Sequence, residues 1–238
     1  MGNDVVDLKQ RENMGKSGDA RFIGRVFTAR ERDRISGAAK PDSLLWALWA
    51  AKEAAFKVVS RGDPAVRSTP RRYEILLDGG GGGAAGVLKT PGLTLPAGPH
   101  PSGAAGSPEE PERITGRAFT PQGELALRID MAEDYVHALS APTAADLGRI
   151  HQRVELIDDA ADPGDASAFV RLKLLEEIAR CLDCPPEELS VGKEPAGPGA
   201  PLVFHRGLPL AVSVSLSHDG RFAAFAFAVD RPHPQTLS

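Results

Sequence analysis

The sequence predicts an α+β fold built from two similar half-domains in tandem, residues 1–140 and 146–238. The order strand, helix, strand, hairpin occurs in both parts, although they share almost no residue identities. Gly and Pro residues are concentrated in one stretch of the first half-domain, between two of its predicted strands. Residues 79–112 hold 10 of the 25 Gly and 6 of the 20 Pro, starting with five consecutive Gly. We interpret this stretch as a flexible Gly/Pro-rich surface insertion within the first half-domain.

The first half-domain opens with a short strand predicted over Val5–Leu8, and one helical segment follows over Arg21–Ile35. The strongest helix is predicted over Ser43–Ser60, because apolar residues recur there at helical spacing and Asp42 or Ser43 can cap it. Three more strands are predicted over 72–77, 124–129 and 135–140. The last two of these form a hairpin.

The second half-domain repeats the order. A strand is predicted over Val154–Ile157, and an amphipathic helix follows over Ser167–Leu182, where Pro185 and Pro186 stop it. Strands are then predicted over 202–204, 211–217 and 222–229, with Asp219 and Gly220 as the turn of the final hairpin.

Composition limits the classes of partner. The chain has 28 basic and 32 acidic residues, so its net charge of −4 argues against nucleic-acid or anionic-membrane binding driven by charge. No apolar run approaches 18 residues, and the first residues lack the layout of a signal peptide, so we expect a cytoplasmic protein. Cys181 and Cys184 are then expected to be thiols with a structural role, since no second metal-binding pair follows them.

Candidate chemistry lies near the amino terminus and on the strongest helix. Trp49, Glu53 and Lys57 are spaced i, i+4 and i+8, so one helix face carries an aromatic ring, a carboxylate and an amine. The alternative is a surface Glu–Lys pair, but the neighbouring residues are small or apolar, and a carboxylate there needs a partner. A divalent cation bound by Glu53 and Asp4 is such a partner, and two carboxylates are typical of Mg²⁺ sites.

A third candidate functional site lies at the end of the strand predicted over 211–217. This strand carries Ser213, Ser215 and Ser217 on one face, and His218 follows it. Ser217 and His218 point to opposite faces, which argues against a hydrolytic nucleophile and base. A hydroxyl and an imidazole at a strand end suit phosphate binding, with an ordinary turn histidine as the alternative.

Together, GNDVVDL, WALWAAKEAAFK and SLSHDGRFAAFAF resemble the signatures of the 4′-phosphopantetheinyl transferase superfamily. The resemblance implies half-domains that each pack a helix on a small antiparallel sheet, fused here into a monomeric pseudo-dimer. In the family's fused type the half with the metal motifs comes second, whereas here Asp4 and Glu53 precede Ser217 and His218. The order of the halves therefore resembles a swapped arrangement, and the alternative is one single-type domain with a long insertion.

The resemblance implies Mg²⁺-dependent transfer of the phosphopantetheine arm of coenzyme A to a serine of an acyl or peptidyl carrier protein, in lipid or secondary-metabolite biosynthesis. It implies that Asp4 and Glu53 bind the metal and that Glu53 or a water acts as base, with Lys57 as proton donor. The coenzyme A ligands that the resemblance implies are Lys52, Arg71, Arg72, Ser217 and His218. Two alternatives stay open, a non-catalytic module that binds coenzyme A or a carrier protein, and a Mg²⁺-dependent phosphotransferase acting on another nucleotide.

Overall fold

The computed structural model of the chain describes residues 1–78, 110–157, 163–193 and 201–229. Helices pack on antiparallel sheets, so the predicted α+β class is confirmed. The predicted Gly/Pro-rich insertion lies outside the described residues over 79–109. None of the helices in the described ranges is long and apolar enough to cross a membrane.

The first sheet contains five antiparallel strands in the order β1-β5-β4-β3-β2. Its strands are β1 Gly2–Asp7, β2 Glu74–Leu77, β3 Glu112–Thr120, β4 Gly123–Met131 and β5 Tyr135–Ala141. The sequence analysis missed β3, which lies between β2 and β4 and joins β2 to the β4–β5 hairpin.

The longest helix, α3, runs over Pro41–Gly62 and covers one face of this sheet with a largely apolar surface. Pro41 suits the first helical turn, where its missing N–H costs no hydrogen bond. The predicted cap by Asp42 or Ser43 is wrong, because Lys40 is the N-cap. The Asp42 carboxylate instead accepts hydrogen bonds from the backbone N–H groups of Gly15 and Ser17, both at 2.7 Å.

The single helix predicted over Arg21–Ile35 is two helices, α1 Ala20–Val26 and α2 Ala29–Ser36. The break occurs at Thr28, whose hydroxyl accepts from Glu31 N at 3.3 Å while Thr28 N donates to the Glu31 carboxylate at 2.8 Å. This reciprocal capping box starts a new helix and overrides the continuous periodicity of the sequence.

The second part of the chain forms two three-stranded sheets, β10-β11-β6 and β7-β8-β9, with a short helix before them and a long helix against them. The elements are α4 Ala144–Leu147, β6 His151–Leu156, α5 Pro163–Leu182, β7 Leu189–Lys193, β8 Pro201–His205, β9 Leu208–Pro209, β10 Val212–Asp219 and β11 Phe222–Val229. The sequence reading missed β7 and β9.

The two parts share a pairing pattern. In the first, β1 pairs with the final strand β5, which pairs with β4; in the second, β6 pairs with the final strand β11, which pairs with β10. Each part also has one long helix after its first strand, α3 or α5. This likeness supports the two half-domains, whose boundaries stay a prediction.

Strand β1 is the edge of the first sheet, and side chains from β10 occupy its open side. Ser215 Oγ accepts from Asn3 N at 3.0 Å, Ser217 Oγ accepts from Val5 N at 3.2 Å, and an Asp219 carboxylate oxygen accepts from Asp7 N at 2.9 Å. We call these three contacts the β1–β10 ladder. It satisfies backbone donors that would otherwise be buried without a partner, and it fixes the register of the two strands.

We expect deletion of residues 79–109 to leave the described fold intact. Leu77 is paired with Gly116, and Asp78 N donates to Thr115 O at 2.9 Å, so the two ends of the deleted stretch lie on neighbouring strands. Asp78 then joins directly to Glu110, and residues 110–114, of which the last three begin β3, close a short turn back to Thr115. Thermal unfolding and circular dichroism of the shortened chain check this, and a large loss of melting temperature contradicts it.

We expect acid to destabilise the protein through His137, which is fully buried on β5 beside Asn3, Arg128, Asp130 and Gln152. Burial lowers the pKa of His137 from 6.5 to about 4, although the Asp130 carboxylate opposes that shift. Between these two pH values the unfolded chain binds a proton that the folded chain does not. The free energy of unfolding therefore falls by up to about 3 kcal/mol as the pH drops from 6.5 to 4.

Urea unfolding at several pH values checks this contribution in the wild type and in His137→Gln, which removes the titrating group. The variant should show a shallower loss of stability across this interval. Equal slopes for the two proteins would show that His137 does not carry the effect.

Candidate active site

The close approach of β1 to α3 brings the first candidate residues together. A Cβ atom added to Gly2 would collide with the backbone carbonyl of Ala54 and lie 2.9 Å from Lys57 Cβ. Glycine at this position therefore lets the strand backbone rest directly on the helix. As a result, Asp4 on β1 lies beside the face of α3 that carries Glu53 and Lys57.

The Lys57 ammonium group joins three parts of the site. Its Nζ lies 2.8 Å from Asp4 Oδ1 and donates to Asn3 O at 2.7 Å, both on β1. A longer hydrogen bond of 3.4 Å reaches Leu216 O on β10. The structure thus pairs an amine on α3 with the amino-terminal carboxylate Asp4, a contact that the sequence analysis did not predict, and Lys57 links both parts of the chain.

Glu53 is a half-buried carboxylate that faces Asp4. Burial raises the pKa of Glu53, and the negative charge of Asp4 raises it further, while Lys57 opposes both. Within the described ranges we find no hydrogen bond or ion pair that stabilises the Glu53 carboxylate. An ionised carboxylate in such a place is unfavourable unless a cation or proton accompanies it.

The donor set fits a hard divalent cation. Asp4 Oδ1 accepts hydrogen bonds from Lys57 and Ser217, which leaves Asp4 Oδ2 and the Glu53 carboxylate as neighbouring oxygen donors. The described residues contain no group of three or more His, Cys, Asp or Glu side chains that could hold a metal by themselves. Two carboxylates completed by water and phosphate oxygens match Mg²⁺, which seldom occupies an all-protein cage.

The strand that carries Ser217 and His218 ends at this cluster. Ser217 is buried, and its hydroxyl donates to Asp4 Oδ1 at 2.9 Å. His218 is exposed, as the alternation along a strand requires. The structure therefore brings Ser217 into direct contact with Asp4 and leaves the imidazole of His218 open to solvent beside it.

Lys52 lies apart from this cluster. Its side chain is 0% exposed, and its Nζ lies 2.8 Å from the buried Glu31 carboxylate. It also donates to the backbone carbonyls of Pro70 and Tyr73 and sits over the Phe27 ring. We therefore assign Lys52 to the core rather than to the coenzyme A site in which it was expected.

Arg71 and Arg72 are exposed in the 3₁₀ turn Pro70–Arg72. The buried Lys52 ammonium group binds the carbonyls on either side of these two residues, so the turn is fixed to α3. The two side chains are exposed to solvent, and their contact with coenzyme A stays a prediction.

A second contact between the first and second parts of the chain lies beside the site, and the sequence analysis did not predict it. Arg221 binds the buried Asp7 carboxylate with both Nε and Nη2, at 2.9 and 2.8 Å, and Arg221 N adds a third hydrogen bond. The hydrogen bonds from Arg221 and from Lys9 N lower the pKa of Asp7, outweighing the opposing effect of burial. The Arg221 guanidinium group is thus engaged by Asp7. No local sequence signal links residues so far apart along the chain.

Comparison with known proteins agrees with the amino-terminal motifs. Residues 1–95 match the family model described as the 4′-phosphopantetheinyl transferase superfamily. A stretch of 59 residues is 41% identical to the mitochondrial holo-[acyl-carrier-protein] synthase of Eremothecium gossypii, covering 25% of this chain and 34% of that protein. A stretch of 62 residues is 40% identical to the holo-[acyl-carrier-protein] synthase of Bartonella tribocorum, covering 26% of this chain and 47% of that protein.

The chain thus spans less than half the length of these two curated relatives. No solved structure matches it significantly. The matched region contains β1 and α3, with Asp4, Glu53 and Lys57. The resemblance to the 4′-phosphopantetheinyl transferase superfamily is thereby confirmed over residues 1–95, the part of the chain that supplies both candidate metal-binding carboxylates.

Proposed function

We propose that this protein is a Mg²⁺-dependent 4′-phosphopantetheinyl transferase that modifies a serine of an acyl or peptidyl carrier protein. The observation that carries the proposal is the junction of β1, α3 and β10, where Asp4, Glu53, Lys57 and Ser217 meet around one carboxylate pair. The family match over residues 1–95 and the names of the two relatives support it.

The reaction joins the serine oxygen of the carrier to the phosphorus that bears the pantetheine arm of coenzyme A. The bond from this phosphorus to the bridging oxygen of the pyrophosphate breaks, and adenosine 3′,5′-bisphosphate leaves. In this proposal Glu53 takes the serine proton, directly or through a water. In this proposal Lys57 neutralises and protonates the leaving phosphate.

Asp4 and Glu53 are the residues that would hold the metal. Bound there, Mg²⁺ supplies charge neutralisation for the pyrophosphate as its bond breaks. The half-buried position of Glu53 and the negative charge of Asp4 beside it favour cation binding.

Coenzyme A is expected to approach from the solvent side of β10, where His218 is exposed. An imidazole at this strand end is suited to bind the 3′-phosphate, and Arg71 and Arg72 are further cationic candidates. For the carrier protein, exposed arginines on the early helices, Arg21, Arg25 and Arg30, offer charge complementary to an acidic partner.

We also propose that the chain is a monomeric pseudo-dimer with its halves in the order metal half, then Ser-His half. The repeated pairing of first and last strands supports two related halves. Because the Ser217–Asp4 contact joins them, one chain supplies side chains from both halves to the same site.

Intact-protein mass spectrometry tests the proposed function. The purified chain is incubated with Mg²⁺, coenzyme A and apo carrier proteins from fatty-acid, polyketide and peptide pathways, each beside a variant without the acceptor serine. We expect one carrier to gain the mass of one phosphopantetheine group, and its serine variant to gain none. Binding of coenzyme A by calorimetry without any mass gain would favour the non-catalytic module. Turnover of another nucleotide instead would favour the phosphotransferase.

We expect His218→Ala to raise the KM for coenzyme A about tenfold with little change in kcat, because one charge-assisted hydrogen bond to a phosphate is lost. Dephospho-coenzyme A, which lacks the 3′-phosphate, should show the same KM with both proteins. Steady-state kinetics with the two substrates measure this difference. An unchanged KM for coenzyme A would remove His218 from the binding site.

A further inference from the structure

The Ser217 hydroxyl occupies a buried position between a backbone amide and a carboxylate. Its oxygen accepts a hydrogen bond from Val5 N at 3.2 Å, and its O–H donates to Asp4 Oδ1 at 2.9 Å. The residue is 8% exposed, so solvent does not compete strongly for these bonds. This arrangement differs from that of His218, which follows it in the chain and is exposed.

The two contacts determine the direction of the hydroxyl proton. A hydroxyl has one proton to donate and two lone pairs. Since Val5 N–H takes one lone pair, the proton is directed at Asp4 Oδ1, and the fixed backbone of β1 holds the geometry. Lys57 Nζ donates to the same Oδ1 at 2.8 Å. With two donors on Oδ1, the Asp4 side chain has one orientation, in which Oδ2 is the oxygen open to a ligand.

We propose that Ser217 is a positioning residue that orients the Asp4 carboxylate for cation binding, rather than a ligand of the coenzyme A 3′-phosphate. The inference rests on the proposed function, because it concerns the same carboxylate pair. Residues that hydrogen-bond a ligating side chain typically change metal affinity or activity by about 10- to 100-fold when they are removed. The second part of the chain thus acts on the metal site through one hydroxyl group.

Ser215 provides a matched control. It lies two residues earlier on the same face of β10, is 2% exposed, and accepts from Asn3 N at 3.0 Å. Ser215→Ala and Ser217→Ala each remove one contact of the β1–β10 ladder and leave one buried amide of β1 without its acceptor. Only Ser217→Ala removes a hydrogen bond from Asp4.

The experiment compares wild type, Ser215→Ala, Ser217→Ala and Ser217→Thr. Mn²⁺ binding, followed by the electron paramagnetic resonance signal of free Mn²⁺ in the absence of coenzyme A, gives the metal affinity without turnover. We expect Ser217→Ala to weaken Mn²⁺ binding about tenfold. Ser215→Ala should stay within about twofold of wild type, and Ser217→Thr, which keeps the hydroxyl, should regain most of the affinity. The two alanine variants should lose similar amounts of melting temperature.

Kinetics with coenzyme A and dephospho-coenzyme A separate the two roles of Ser217. If Ser217 orients Asp4, Ser217→Ala lowers kcat/KM for both substrates by the same factor. If it binds the 3′-phosphate, only the value for coenzyme A falls, and our inference is overturned. Mn²⁺ affinity equal to that of wild type also overturns it. A wild-type chain that binds Mn²⁺ but transfers nothing to any carrier contradicts the proposed function alone, and the Mn²⁺ comparison still decides the role of Ser217.

Discussion

Glu53→Gln should reduce phosphopantetheine transfer by at least about a hundredfold while leaving the protein as stable as wild type or more stable. The loss follows from removing one of the two carboxylates of the proposed metal site and its candidate base. The gain in stability follows from the environment of Glu53, whose pKa is raised by burial and by Asp4. At neutral pH the folded state therefore carries an unfavourable charge there, and the amide removes it.

Initial rates of carrier modification with Mg²⁺, and urea unfolding at pH 7 without Mg²⁺, measure the two effects. Glu124→Gln is a suitable control, because this carboxylate is exposed and, among the described residues, forms one long ion pair, with Arg117 at 3.4 Å. The stabilising effect of Glu53→Gln should disappear as the pH falls below the raised pKa of Glu53, since the wild-type carboxyl is then neutral as well. Normal turnover by a folded Glu53→Gln variant would exclude Glu53 from both of its proposed roles.

Lys52→Met should lower the free energy of unfolding by about 3–5 kcal/mol, because it leaves the buried Glu31 charge without its partner. The same substitution at Lys57, five residues later on α3, should cost less stability, since the Lys57 side chain is 30% exposed whereas that of Lys52 is 0% exposed. Lys57→Met should instead eliminate transfer. The pair of variants separates a structural lysine from a catalytic one on the same helix.

Urea unfolding of Lys52→Met, Glu31→Gln and the double variant measures the coupling between the two charges. The double variant should lose less stability than the sum of the single variants, because it leaves no unpaired charge. If Lys52→Met is as stable as wild type and raises the KM for coenzyme A, Lys52 is a coenzyme A ligand, as first expected from the sequence.

Local patterns of the sequence predicted much of the fold. The helix α3, strand β1 and the hairpins β4–β5 and β10–β11 each carry a periodicity that depends only on neighbouring residues. The strands β3 and β7 were missed because each follows a stretch rich in turn-forming residues, Gly79–Pro111 or Pro185–Pro186. The break between α1 and α2 was missed because Phe27 and Val26 continue the apolar pattern while the capping box at Thr28 ends it.

In the candidate site, too, some features follow from local sequence patterns and others depend on tertiary packing. Asp4, Glu53 and Lys57 were identified from motifs and spacing, and the structure brings them together. The motif could not distinguish Lys52 from Lys57, because only the tertiary packing places Lys52 against Glu31. Likewise, the contact of Ser217 with Asp4 depends on how two distant strands align, which no pattern within either strand determines.

The β1–β10 ladder and the Ser217–Asp4 contact join residues more than 200 positions apart in the chain. Closing such a long loop costs conformational entropy, and contacts of this kind make folding slow. We therefore expect the helices and hairpins to form first during refolding, with strands β1 and β10 meeting late. Recovery of enzymatic turnover should then lag behind recovery of the circular dichroism signal, so that catalytic competence reports the last stage of assembly.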